Sequence, residues 1–169
     1  MRKFGVLVAV AVGVAFGTAA LASGEKVRGS AERQGPRTFT IYAPTAPGRF
    51  AFLPVTPGQF SLGARDVFSD DLFTSKGGKS LGSDGGVCTV TRVADASTAS
   101  GTLECEVTFS LPGGQIATQG LNTLTNGNLT GTQPGAITGG TGRYHGASGQ
   151  ILVKFLSNTE AYVTFVLDR

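Results

Sequence analysis

Residues 87–93 read VCTVTRV and residues 102–109 read TLECEVTF, and these two stretches decide the fold class of the 169-residue chain. In the second stretch apolar residues alternate with Thr and Glu, which is the period-two pattern of a strand with one buried face. A polar loop of small residues joins the two stretches. If they pair as a hairpin centred on that loop, Cys88 faces Cys105 and Val90 faces Leu103.

Similar short runs, rich in Val, Ile, Thr, Phe and Tyr, recur on both sides of this hairpin between turns rich in Gly and Pro. No apolar stripe at helical spacing is long enough to indicate a helix. The candidate strands are residues 37–42, 50–53, 59–73, 87–93, 102–111, 115–121, 150–156 and 161–167. Because closure hides strand edges, we predict an all-β fold closed into a barrel of about eight strands, whose interior has room for side chains or one small ligand.

The first 22 residues have the pattern of a cleavable signal peptide. Arg2 and Lys3 form a positively charged n-region, residues 4–19 form an apolar run, and small residues precede Ser23. The run of about 16 residues is shorter than the roughly 20 that a membrane span needs. We therefore expect cleavage before Ser23 and a secreted, extracellular protein that is free of the membrane after cleavage.

The charge balance argues against a nucleic-acid partner. Lys and Arg number 14 and Asp and Glu number 11, and without Arg2 and Lys3 the counts are 12 and 11. No basic cluster is left to neutralise a run of phosphates. The mature chain has the length of one domain, and we assign residues 23–37 to a disordered N-terminus and residues 38–169 to the barrel.

Cys88 and Cys105 are the two cysteines of the chain. Export places them where disulfides persist, and the hairpin register places them opposite each other. We predict a cross-strand disulfide. Two buried free thiols are the alternative interpretation, and a catalytic thiol is the third.

Three further patterns resemble parts of known binding or catalytic sites. Gly140-Thr141-Gly142 lacks the Lys and the following helix of a phosphate loop, which favours a tight strand connection. His145 is the single histidine, so a Ser-His-Asp hydrolase would depend on it alone, and no metal ligand set is present. Asp70 and Asp71 are neighbours on a candidate strand, so they point to opposite faces and cannot share a proton. A carboxylate that points into the barrel would be costly unless it is paired or put to use, and the alternative is that this stretch lies at a solvated rim.

Several strings resemble, in order, those of the allene oxide cyclase and dirigent barrel superfamily. They are Leu62-Gly63 with residues 67–73 (VFSDDLF), residues 86–88 (GVC), residues 114–116 (GQI) with Gln119-Gly120, and residues 136–142 (AITGGTG) continuing to Gly149. The resemblance covers residues 59–167. It implies an eight-stranded antiparallel β-barrel, lipocalin-like in outline, that forms homotrimers and holds an apolar small molecule in its lumen without metal or organic cofactor.

The resemblance also implies site residues. Asp70 falls on a polar lumen residue of the plant cyclases, Phe68 on the aromatic two places earlier, Cys88 on a lumen Cys and Asn122 on a lumen Tyr. Acidic lumen residues of dirigent proteins are similar in kind to Asp66 and Asp70. We expect Asp70 to be catalytic, as a proton or hydrogen-bond donor, and Phe68, Asp66, Asn122 and Cys88 to bind ligand.

Two function hypotheses follow. The first is a barrel that binds an apolar small molecule and directs its cyclisation or coupling without a cofactor, as an isomerase or cyclase. A first-strand Glu and Asn of the plant cyclases have no counterpart in residues 38–43, so we expect a different reaction from theirs. The alternative is a non-catalytic binding or structural cell-surface protein with a packed barrel. An open lumen of roughly 300 Å³ or more would favour the first.

The secreted protein should begin at Ser23, because the small-residue rule selects Ala22 as the last residue of the leader. N-terminal sequencing of the protein recovered from culture medium measures this directly. A sequence that began at Met1 would contradict the predicted cleavage.

Overall fold

A computed structural model describes residues 37–168 of the chain. The predicted signal peptide and most of the predicted disordered segment lie outside the described residues. Eleven strands make up most of this part: β1 Arg37–Pro44, β2 Phe50–Leu53, β3 Arg65–Phe68, β4 Asp71–Phe73, β5 Ser80–Asp95, β6 Ser100–Leu111, β7 Gly114–Thr125, β8 Asn128–Leu129, β9 Thr132–Gly140, β10 Gly149–Ser157 and β11 Glu160–Leu167.

The strands form a closed antiparallel barrel with eight strand positions. Around the ring, β1 is followed by β11, β10, β9, β7, β6 and β5, and every neighbouring pair is antiparallel. The eighth position is shared by β3 and β4, which pair one after the other with β5. The ring closes where β4 pairs with β1. The predicted all-β, eight-stranded antiparallel barrel is confirmed.

Within residues 37–168 the helical structure is a single 3₁₀ turn, Gly142–Tyr144, which follows β9. Gly142 has a φ of 58° in this turn, so the Gly-rich string is the tight connection that the sequence predicted. No helix in the described part of the chain is long and apolar enough to cross a membrane.

Two strand predictions were wrong in extent, and one strand was missed. The single strand predicted over residues 59–73 is divided into β3 and β4, because the backbone of Asp70 bonds to Asp84 instead of continuing the ladder. β5 begins at Ser80, seven residues before the predicted start. β9 was not predicted at all, since its sequence is TQPGAITGG.

The segments that sequence patterns missed are rich in Gly and Ser or contain Pro. These two segments, β9 and the first half of β5, still form strands because a neighbouring strand on each side completes their backbone hydrogen bonds. β9 lies between β7 and β10, and the first half of β5 lies between β4 and β6. Tertiary pairing therefore outweighs weak β-propensity at these positions.

Two hydrophobic clusters fill the barrel. In the first, the aromatic cluster, the ring of Phe165 stacks on Phe39 at 4.7 Å and meets the edge of Phe109 at 5.0 Å. Its fully buried members include Ile41, Leu72 and Ile116. The second, the disulfide cluster, consists of Ala64, Cys88, Val90, Leu103, Cys105 and Leu124, packed against Phe60, Phe68, Val93 and Leu129.

The hairpin of β5 and β6 has the predicted register. Cys88 is opposite Cys105 and Val90 is opposite Leu103. The two cysteines form a disulfide, and both are at least 95% buried. The prediction of a cross-strand bond is confirmed, and neither alternative interpretation of the cysteines applies.

The disulfide should contribute measurably to stability. It joins residues 17 apart in sequence, and a loop of that size restricts the unfolded chain by on the order of 3 kcal/mol. Reduction should lower the free energy of unfolding in denaturant titrations by about that amount, and the denatured, unreduced protein should titrate no free thiol. A Cys88→Ala/Cys105→Ala variant is the control, because a reductant should not change its stability. Two titratable thiols in the unreduced protein would contradict the bond.

Candidate active site

A cavity of about 110 Å³, which we call the inner chamber, lies within the barrel and is lined by members of both clusters. Its wall is mostly apolar, with Val107, Phe109, Ile151 and Val163 among the lining residues. A few polar side chains interrupt that wall, among them Asp70, Asp84 and Asn122.

Two further spaces continue from the inner chamber. The neck, of about 90 Å³, shares Phe68 and Asp70 with it. The vestibule, of about 350 Å³, shares Phe50 and Asp66 with the neck. The inner chamber alone is smaller than the roughly 300 Å³ of a typical ligand pocket, whereas the path that includes the vestibule is large enough.

Asp70 and Asp84 form a buried carboxyl pair beside the inner chamber, and each is 8% exposed. Asp70 lies in the break between β3 and β4, and Asp84 lies in β5. The backbone N–H of Asp70 donates to Oδ1 of Asp84 at 2.7 Å. The backbone N–H of Asp84 donates in return to the carbonyl oxygen of Asp70 at 3.0 Å. These reciprocal bonds fix both side chains at the edge of the cavity.

Thr45 extends this arrangement across the point where the ring closes. It follows β1, and its hydroxyl donates to Oδ1 of Asp70 at 2.5 Å. A hydrogen bond of this kind favours the charged form of the carboxyl. The chain of contacts therefore runs from the end of β1 through Asp70 to β5.

Burial separates the two carboxyls from ordinary aspartates. Burial and, after it, the charge of Asp70 together raise the pKa of Asp84 to about 7, while the backbone N–H of Asp70 opposes the rise. Burial also raises the pKa of Asp70, while the Thr45 hydroxyl opposes that rise. Near neutral pH the pair therefore offers one carboxyl that holds a proton readily and one that is better able to accept a proton.

Asp71 points away from this pair, as period-two alternation requires. Its carboxylate accepts a hydrogen bond from Arg49 at 2.6 Å in an ion pair in which each side chain is 43% exposed. The interpretation that Asp70 and Asp71 cannot act as one acid–base pair agrees with this geometry.

Phe68 lines both the inner chamber and the neck. Its ring lies over Gly86 of β5, its partner in the ladder. A Cβ atom at Gly86 would lie 2.5 Å from Cζ of Phe68, so the glycine makes the room that the ring occupies. The string GVC of residues 86–88 thus places an aromatic ring against the disulfide cluster.

The remaining predicted site residues lie along the same path. Asp66 is half-buried at the neck and vestibule, and burial raises its pKa. Asn122 lines the inner chamber, and Cys88 lines the inner chamber and the neck as part of the disulfide. The structure therefore brings Asp66, Phe68, Asp70, Cys88 and Asn122 to one continuous space, and their roles toward a ligand stay predictions.

Sequence patterns missed Asp84 and Thr45. Asp84 lies in the string SLGSDGG of residues 80–86, which is typical of a turn. Counting back by twos from Cys88 would have found it, because residues 88, 86 and 84 share one face of an unbroken strand. No local signal points to Thr45, since it lies 25 residues from Asp70.

The other sequence patterns lie elsewhere. His145 is exposed in the turn after β9 and is not among the residues that line the three spaces. Among residues 37–168, no three His, Cys, Asp or Glu side chains are grouped so that they could hold a metal ion.

The carboxyl of Asp84 should make stability depend on pH. Between its ordinary pKa of 3.8 and its native pKa of about 7, the native state holds a proton that the unfolded chain releases. Stability should therefore fall as pH rises through that window, by on the order of a few kcal/mol, and level off above it. Asp84→Asn keeps an oxygen acceptor for Asp70, so it should flatten the profile and be the more stable protein at pH 8.

Denaturant unfolding at pH 5, 6, 7 and 8 measures this profile. Asp71→Asn is the matched control, because it removes a neighbouring carboxylate on the outer face whose charge is the weakest of the causes that raise the pKa of Asp84, so it should keep most of the slope of the parent. A parent protein with equal stability at pH 5 and pH 8 would show that Asp84 titrates like an ordinary aspartate.

Comparison with solved structures places the barrel among known proteins. A pyocyanin demethylase is 29% identical and aligns over 78% of this chain and 99% of its own, with a TM-score of 0.65. A pterocarpan synthase dirigent protein is 17% identical over 79% of this chain and 95% of its own, with a TM-score of 0.57. A Diels Alderase from Streptomyces koyangensis is 17% identical over 82% of this chain and 69% of its own, also with a TM-score of 0.57. The last two likenesses show the fold alone.

Comparison with curated proteins finds no match. The model of one family, described as the allene oxide cyclase barrel like domain, matches residues 48–167. This match covers well over half of the chain, including all of the strands from β2 to β11. Together with the closed eight-position barrel, it shows that the chain belongs to the allene oxide cyclase barrel-like family.

Proposed function

We propose that this protein binds a small, largely apolar molecule in its lumen and directs the isomerisation, cyclisation or coupling of that molecule by moving protons at Asp70 and Asp84. The observation that carries the proposal is the buried carboxyl pair on the wall of an otherwise apolar cavity. A carboxyl taken out of water is destabilised in its charged form unless it has a partner or a use. Here one of the two has a native pKa close to neutral.

The contacts of each carboxyl assign its role as proton donor or proton acceptor. Asp84, with its higher pKa, is the proton donor toward an oxygen or nitrogen atom of the substrate. Asp70, whose charged form is favoured by Thr45, accepts a proton from another atom of the same substrate. One proton is gained and one is lost, so the substrate is isomerised and no redox cofactor is needed. A proton then returns from Asp70 to Asp84 and restores the pair.

The catalytic role predicted for Asp70 is thereby shared with a residue that the sequence patterns did not single out. Asp70 was expected to donate a proton, and the pair makes Asp84 the better donor. The apolar wall contributes by excluding water and by holding a reactive substrate in one shape. A cyclisation or a directed coupling requires both of these effects.

The neighbours support lumen chemistry on small molecules in this fold. The relatives named above include a protein that demethylates pyocyanin, a pterocarpan synthase dirigent protein and a Diels Alderase. The first has the highest identity to this chain among them, so pyocyanin is a reasonable first probe.

A second function, non-catalytic binding or a structural role at the cell surface, is favoured by one observation. The inner chamber measures only about 110 Å³, because the barrel's own side chains occupy the rest of the interior. If the lumen serves only for packing, the two carboxyls are structural partners of each other and of Thr45. Their substitution would then alter stability and leave no ligand effect to measure.

We also propose export and trimer formation, which the resemblance and the leader pattern imply. The disulfide agrees with an oxidising compartment. A trimer would bury apolar side chains that the outer face of the barrel exposes, among them Val67, Val87 and Leu121. The mass of the purified protein in solution tests the trimer.

Asp70→Asn and Asp84→Asn should separate binding from chemistry, because the amide keeps size and hydrogen bonding but transfers no proton. Native mass spectrometry of protein purified from its source identifies a co-purifying molecule, whose conversion to an isomer measures turnover, and pyocyanin serves as the first probe for binding by calorimetry. Both variants should bind within about threefold of the parent, and turnover should fall by about 10²-fold or more.

Asp71→Asn is the matched control, since it removes a carboxylate from the outer face and should keep parental turnover. Equal turnover in the parent and in both lumen variants would contradict the proton-transfer role. A folded protein that neither co-purifies with a small molecule nor binds pyocyanin would favour the non-catalytic function.

A further inference from the structure

We infer that the lumen selects an apolar molecule that carries a positive charge or a hydrogen-bond-donating nitrogen, and that it rejects molecules bearing a carboxylate. This inference rests on the proposed lumen site and names the class of ligand that the site takes. Its basis is the sign of the groups that line the path, together with their unmet hydrogen-bonding capacity.

Three carboxyls follow one another along the path. Asp66 lines the vestibule and the neck, Asp70 lines the neck and the inner chamber, and Asp84 lines the inner chamber. A ligand that enters from the vestibule therefore passes an acidic side chain at each stage.

Little basic charge offsets them within the described part of the chain, where the one influence of this kind is Arg49, which opposes the raised pKa of Asp70 more weakly than any other cause acts on it. The residues that line the three spaces include no Lys, Arg or His. The nearby cations are already used: Arg49 pairs with Asp71, and Lys76 pairs with Glu160 at 2.9 Å. Glu160 also lines the neck, but its charge is paired with Lys76, so the three aspartates are the acidic groups without a paired cation.

The carboxyl oxygens are also short of donors. Oδ1 of Asp84 accepts from the backbone of Asp70, and Oδ1 of Asp70 accepts from Thr45. No donor among residues 37–168 makes a hydrogen bond to Oδ2 of Asp70, to Oδ2 of Asp84 or to either carboxyl oxygen of Asp66. An ionised carboxylate can only accept, so the complementary ligand group is a donor.

A row of two buried carboxyls and one half-buried carboxyl discriminates strongly by the charge of the ligand. A cationic or N–H group on the ligand supplies the missing donors and offsets the burial of the carboxylates. A ligand carboxylate would add a like charge in a region that screens charge poorly, and nothing in the lining would pair with it. The specificity is therefore a matter of repulsion as much as of attraction.

Three matched probes test the preference: 1-naphthylmethylamine, 1-naphthalenemethanol and 1-naphthoic acid. They share one ring system and differ in a cationic, neutral or anionic group. Calorimetric or fluorescence titration at pH 8 should show the amine binding at least about tenfold more tightly than the acid, with the alcohol in between. Asp66→Asn should reduce the ratio of amine to acid affinity by about threefold or more, while Asp71→Asn, on the outer face, should leave that ratio near the parental value.

The outcomes separate this inference from the proposed function. Equal affinity for the three probes, or tighter binding of the acid, would overturn the charge preference and leave the lumen as a ligand site. No binding of any probe to the folded protein would count against the lumen as a ligand site and hence against both. A parental ratio in Asp66→Asn would remove Asp66 from the selecting groups and overturn the acidic row as its cause.

Discussion

The hydrogen bonds between Asp70 and Asp84 hold the point at which this barrel closes. A closed sheet needs a partner on both sides of every strand, and here the eighth position is filled by two short strands, β3 and β4. Between them the ladder is interrupted at Asp70, and β4 meets β1 through a single residue pair. The two reciprocal bonds to Asp84 and the Thr45 contact bridge this interruption. Closure of the ring and placement of two carboxyls in the lumen are one feature.

The hydrogen bonds that close the ring also explain how an apolar cavity tolerates acidic groups. A buried polar group without partners is costly, and the cost falls when main-chain donors are already directed at it. Asp84 has such a donor in the backbone of Asp70, and Asp70 has the hydroxyl of Thr45. Part of the desolvation remains uncompensated, and it is seen in the raised pKa values of both residues. The residual imbalance is what makes the pair available for proton transfer.

Local sequence patterns predicted some strands of the barrel correctly and missed others. The hairpin of β5 and β6 was predictable in register and in its disulfide, because alternation over residues 102–109 admits one way to bury Leu103, Cys105 and Phe109 together. The count of eight strands agreed with the barrel for partly different reasons. β2 was counted, although it pairs outside the ring with β3, and β9 was missed, although it is one of the eight positions.

The sequence by itself determined the all-β class, the family and the opposition of the two cysteines. These depend on period-two alternation and on ordered short motifs, which are local properties of the chain. Only the tertiary structure decided that Asp84 joins Asp70, that Thr45 completes the contact, and that among the described residues the lining of the lumen path includes carboxyls and no basic side chain. The physical reason is that these features depend on which distant segments the ring brings side by side, and a Gly-rich segment such as residues 80–86 becomes a strand only when its neighbours supply its hydrogen bonds.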